Sequence, residues 1–152
     1  MALPQTGTPK SVLLELARRC ESERPTYALD VAIWEAVEGV PAHVVGKPFK
    51  AGNPPRITHL PIPNYTRSRD AAATLAPEGW IVSDICQTYT EGREWHVALW
   101  KCGAVETQVY GDAKTEPAAR VAAALKARAA LTGEAQASNA DTKSPHPDRE
   151  AQ

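Results

Sequence analysis

The sequence predicts an α+β protein. An antiparallel three-stranded meander is sandwiched between helices, in the order α-α-loop-α-β-β-β-α, with a disordered C-terminal tail. Three observations predict it. Residues 80–110 hold three runs rich in β-branched and aromatic residues, separated by short loops containing Gly92 and Gly103. Both parities of these runs carry large apolar side chains, so neither face reads as a water-facing one. Helical apolar spacing stands before and after the meander.

The elements follow in order. Met1 to Pro9 reads as a flexible leader, and residues 10–133 as a single α/β sandwich domain. Ser11 to Cys20 reads as a helix, with Leu13, Leu16, Ala17 and Cys20 on one stripe. Thr26 caps a second helix from Tyr27 to Glu38, with Leu29, Ile33 and Val37 on its apolar edge and Gly39 at its stop. Gly39 to Arg67 holds six prolines, which exclude a regular helix or a central strand. It reads as a long ordered loop anchored by Phe49, Ile57, Leu60, Ile62 and Tyr65. Ser68 caps a short helix to Leu75. In the meander, pairing Thr90 with Glu94 places Trp80, Val82, Asp84, Cys86, His96, Ala98 and Trp100 on one face. Ile81, Ser83, Ile85, Trp95, Val97 and Leu99 then share the other. A slip of one residue would reshuffle these sets. Thr115 caps the last helix, whose stripe is Ala118, Val121, Ala122, Leu125 and Ala129. Its alanines permit a close approach to the sheet. From Glu134 no large apolar residue occurs, so residues 134–152 read as a disordered tail.

Length and charge bound the function. A chain of 152 residues suffices for one core, and a formal net charge of -1 gives no bulk attraction to polyanions. No run approaches the roughly 20 apolar residues of a membrane helix, and the N-terminus lacks a signal-peptide pattern. No membrane partner is expected, and the protein is expected in the cytoplasm. The three cysteines Cys20, Cys86 and Cys102 form no Cys-x-x-Cys pair and read as free thiols.

The segment from Pro63 to Trp80, PNYTRSRDAAATLAPEGW, resembles the phage ABA sandwich domain family, as do the tryptophan-containing second strand and the closing TEPAARVAAALKAR from Thr115 to Arg128. The resemblance covers about residues 10–131. Members are small proteins of phages and prophages. The resemblance implies a helix/sheet/helix arrangement and a host bacterial cytoplasm as the location, and it implies no catalytic residue. The stretch from Val40 to Ile62 is longer than the family pattern.

No catalytic or cofactor motif stands out. There is no Gly-x-Ser-x-Gly elbow, phosphate loop or dinucleotide fingerprint, and no cofactor or metal is expected. Asp84 and His96 are the one candidate acid/base pair, with Cys86 and Cys102 nearby in sequence space but too spread for a zinc site. The aromatics suggest a ligand site between the proline-rich loop and the sheet, built from Tyr65, Asp84, His96 and Trp100. The chain therefore reads as a non-enzymatic binding module that sequesters a small ligand or a host protein. The alternatives are a small enzyme using Asp84 and His96, or a module like those that bind double-stranded RNA, whose order is also helix, three strands, helix. Such modules carry a cationic cluster at the start of the final helix, where this chain has Glu116, so nucleic acid is not expected as a partner. An exposed sheet edge leaves a homo-oligomer open.

Overall fold

The computed structural model of the protein describes residues 8–140. Four helices and two sheets follow the chain as α1 (Lys10–Ser22), α2 (Tyr27–Glu38), β1 (His43–Gly46), β2 (Arg56–His59), α3 (Arg69–Ala73), β3 (Trp80–Gln87), β4 (Trp95–Lys101), β5 (Ala104–Ala113) and α4 (Glu116–Ala140). The protein is α+β, and its principal sheet is an antiparallel meander in the order β3-β4-β5.

Local chemistry sets the helix ends. Thr26 accepts a bond from the Leu29 N–H, and Ser68 does the same for Ala71, each filling one of the open donors of a first turn. Gly39 stops α2 in the left-handed conformation, at φ 72°. Leu13, Leu16, Ala17 and Cys20 are all buried along α1. Helix α4 is the centre of the molecule. Its residues Ala118, Ala119, Val121 to Leu125, Ala127 and Ala129 are buried, and they lie all round the helix. Seven of these nine are alanine, whose small side chains let neighbours approach the helix closely on every side. It lies against β4 and β5, and α1 and α3 pack on it in turn. The buried residues form one cluster running from Leu13 through Leu29, Ile33, Tyr65, Trp80, Val97 and Leu99 to Ala129.

Glycine makes the closest contact. Gly111 of β5 lies directly beneath α4, where a methyl group would stand 2.0 Å from the Ala119 carbonyl oxygen and 2.7 Å from the Ala123 nitrogen. Any side chain there displaces helix backbone.

Strand register differs from the expected one. The Thr88 N–H, not that of Thr90, donates to the Glu94 carbonyl, so the β3–β4 loop is longer than a three-residue turn. Cys86 pairs with His96 rather than Ala98, and the register shifts between Val82 and Asp84. This bulge at Ser83 swaps the facing of half of β3. Trp80 and Val82 join Ile85, Trp95, Val97 and Leu99 on the face that α4 covers. Ile81 joins Asp84, Cys86, His96, Ala98 and Trp100 on the other.

That second face has no helix over it among the described residues. Ile81 and Tyr110 are each 46% exposed on it. The apolar content of both strand parities suggested helical cover on each side. The bulge explains part of the difference, since it places Trp80 and Val82 with Ile85, Trp95, Val97 and Leu99 on the covered face and leaves Ile81 and Trp100 as the large apolar side chains that β3 and β4 give the other. Helix α1 instead guards the β5 edge: Glu21 accepts from the Asp112 N–H at 3.1 Å, and Lys126 of α4 donates to the Tyr110 carbonyl at 2.7 Å. Glu21 and Lys126 also pair at 3.0 Å. Among the described residues the opposite edge, β3, has no such guard.

The proline-rich passage is not one long loop. It contains the hairpin β1–β2, paired from His43–His59 to Gly46–Arg56. Prolines lie only in its connection, so the ladder keeps its donors. Of the expected anchors, Tyr65 is buried and Leu60 and Ile62 are half-buried, but Phe49 is 80% and Ile57 58% exposed. The passage is fixed at its far end by Asp30. This wholly buried carboxylate of α2 accepts from the Thr66 N–H and Thr66 Oγ1, both at 2.8 Å, with Arg67 at 3.5 Å. Residues 134–140 of the expected tail continue α4; the rest of the tail and the leader up to residue 7 lie outside the described residues.

Candidate functional site

Three of the four residues singled out from the sequence share the helix-free face. Asp84, His96 and Trp100 sit there because they keep one parity along β3 and β4 after the bulge. Tyr65 does not join them. It is 4% exposed, and burial, with Glu38 next in effect, raises its phenol above the ordinary tyrosine range; Arg128 and Asp30 also act on it. Those neighbours belong to the helical layer, on the far side of the sheet from His96. The described residues therefore do not join Tyr65 and His96 in one pocket. Asp30 of α2 holds Thr66, and with it the neighbouring Tyr65, in the helical layer.

Asp84 and His96 are not the pair that the sequence suggested. Asp84 lies opposite Ala98, and His96 Nδ1 donates instead to Asp112 Oδ1 at 2.7 Å. His96 and Asp112 face each other across β4 and β5. The outward backbone bonds of Tyr110 and Asp112 to α4 and α1 mark this as a pair without mutual backbone bonds, the kind whose side chains lie closest. Tyr110 stacks on the imidazole at 5.3 Å between ring centroids and 24° between planes. Its hydroxyl donates to Gln108 at 2.7 Å. Cys86 stands on the other flank of His96.

Asp112 and Tyr110 are the members that sequence reasoning missed. Their signal was the alternation of β5, which puts 108, 110 and 112 on one face. Without the β4–β5 register, no residue of β4 could be matched to them. The bulge between Trp100 and Lys101 displaced that register from the value a tight turn at Gly103 would give.

The arrangement holds a ring in place and presents it. The carboxylate fixes the imidazole orientation, and the phenol covers one of its planes. Further along the same face lie Ala98, Asp84, Trp100 and, opposite Trp100, Ile81, so the face mixes aromatic, aliphatic and acidic groups. No group of three or more His, Cys, Asp or Glu among the described residues is placed to hold a metal ion.

Three cavities among the described residues lie elsewhere. One of about 180 Å³ runs between α3, α4 and the sheet, lined by Ala72, Ala76, Trp80, Val82, Leu99 and Arg120. Others of about 250 and 260 Å³ lie at Leu13 and Arg128, and at Glu21 and Lys114. Ligand pockets usually start near 300 Å³. Arg120, at the first cavity, is already held by Glu116 at 3.0 Å, and Glu116 also takes Arg69 at 2.8 Å. The acidic start of α4 is thus a buried, neutralised junction between α3 and α4.

Fold and site together define a small α+β protein with one helix-covered and one open sheet face, the open one centred on a histidine–aspartate pair. No family model matches the chain, and neither does any curated protein or solved structure. No helix among the described residues is long and apolar enough to cross a membrane.

Proposed function

We propose that this protein is a non-enzymatic binding module of phage or prophage type, which holds a host protein against the open face of its sheet. The observation that carries the reading is that face itself. Tyr110 is half-exposed there on an oriented His96, and Ile81 is half-exposed opposite Trp100 further along the same face. Tyrosine and tryptophan supply most of the binding energy in protein interfaces, and charged groups at the rim select the partner. Asp84 is such a group. A protein suits a broad, open face better than a small ligand does, since the described cavities are small and none includes His96, Trp100 or Tyr110. The phage origin rests on the resemblance of residues 10–131. The unguarded β3 edge is where a second copy would pair.

The enzymatic reading through Asp84 and His96 loses support, because the bond it needs is made to Asp112 instead. The RNA-module reading fares no better, since the place of its cationic cluster is taken by the Glu116 junction.

Native mass spectrometry of protein recovered from infected cells tests the binding reading. The expected spectrum holds a partner mass that Tyr110→Asp and Trp100→Ala each remove while thermal unfolding stays cooperative. A clean apo-monomer from the wild-type protein would sink it.

A further inference from the structure

The hairpin β1–β2 carries a second surface, unrelated to the open sheet face. From Gly39 to Arg69 the chain has no carboxylate and five Lys and Arg; all eighteen Asp and Glu lie elsewhere. A net charge of -1 thus averages over an acidic body and a basic arm. Every residue from 43 to 59 is exposed. Lys47, Lys50 and Arg56 have no carboxylate partner among the described residues. Arg56 lies instead over the Phe49 ring, 5.1 Å from its centroid. His43 and His59 face each other at 6.5 Å at the base of the ribbon. A two-stranded ribbon with no third strand and no helix behind it is marginal by itself. Apart from Arg56 lying over Phe49, its exposed cations make no ion pair among the described residues.

We propose that this hairpin is a DNA-binding arm that enters the major groove of a duplex. The shape fits: strands about 4.8 Å apart make a ribbon that a groove about 12 Å wide admits. The connection of residues 47–55 carries both lysines toward the phosphates. Its turn is closed by the Asn53 N–H bonding to the Lys50 carbonyl, with Gly52 at φ 92°. Arg56, at the end of the same connection, lies over the Phe49 ring.

Other polyanions and partners fit less well. A-form RNA has a deep, narrow major groove that excludes such a ribbon. A membrane-seeking hairpin would gather its apolar residues at the tip or on one face. Here the tip is Lys50-Ala-Gly-Asn-Pro-Pro55, and Val44 and Val45 lie on opposite faces. On the described open face a second copy offers three cations only one uncommitted carboxylate, Asp84, because Asp112 is already engaged by His96.

Fluorescence anisotropy of the full chain with a labelled duplex of about 20 base pairs tests the arm. Three phosphate contacts give a slope of about −2.7 in log affinity against log salt, or roughly a 40-fold loss between 50 and 200 mM NaCl. The triple variant Lys47→Glu, Lys50→Glu, Arg56→Glu should lose the binding and keep its far-UV dichroism and melting temperature. No binding to duplex at 25 mM salt overturns the proposal, as does equal binding by the triple variant. Preference for phosphatidylglycerol vesicles over duplex at equal salt overturns it in favour of a membrane arm. A dimer that the triple variant breaks, without DNA binding by either protein, overturns it in favour of contact between copies.

Discussion

Replacing Gly111 with alanine isolates the contact on which the helix–sheet packing turns. The added methyl would lie 2.0 Å from the Ala119 oxygen, and ordinary contact begins at 3.4 Å. Helix α4 or strand β5 must therefore withdraw by about 1.4 Å. Neither moves freely. Helix α4 is enclosed on all sides, and β5 is tied to α1 and α4 through Glu21 and Lys126. Overpacking a tight core costs about 1–3 kcal/mol when side chains can give way. Here the obstacle is backbone, so the cost should reach about 3 kcal/mol or more. For a chain of this length that lowers the melting temperature by about 6–12 °C. Gly103→Ala is the control. It has a φ of 84° and open space around it, so only the left-handed backbone is penalised, by about 1–2 kcal/mol. Urea unfolding of both variants measures the difference. A Gly111→Ala protein within 1 kcal/mol of wild type, or more stable than Gly103→Ala, would refute the reasoning that α4 rests directly on β5.

Two further outcomes concern buried polar groups. Asp30→Ala removes the acceptor of both Thr66 bonds and should cost about 2–3 kcal/mol in urea unfolding, with fast hydrogen exchange at the Thr66 amide. Unchanged exchange there would show that Asp30 does not fix the proline-rich passage. Burial, then Asp30, pushes the Cys20 thiol from 9.0 up to about 12. A thiol raised in the folded state keeps its full contribution below pH 9 and loses it as the pH rises toward 12. Stability should therefore fall above pH 9, by about 1.4 kcal/mol per pH unit from this group. Cys20→Ala should flatten that part of the profile, and an identical slope in the variant would contradict the assignment. In the native protein a thiol reagent should modify exposed Cys102 well before Cys20.

The helices were readable in the sequence because their determinants are local. Caps at Thr26 and Ser68, the stop at Gly39 and the stripes of α1 and α4 depend on neighbours three or four residues away. The order of elements and the α+β class follow from the same signals. The alanines of α4 foretold its close approach, though not that Gly111 would receive it.

What tertiary structure decided was non-local. A strand's period of two places its side chains on two faces, but register decides which residues meet across strands. The bulge at Ser83 moved Trp80 and Val82 to the covered face and Ile81 to the open one. The shift after Trp100 brought Asp112, rather than Asp84, to His96. Prolines alone excluded regular helix but could not reveal that His43–Gly46 and Arg56–His59, between them, would pair. Local preference fixes elements at the cost of a few residues' freedom. Register, facing and layer are chosen by the burial of whole surfaces, a sum over residues far apart in the chain.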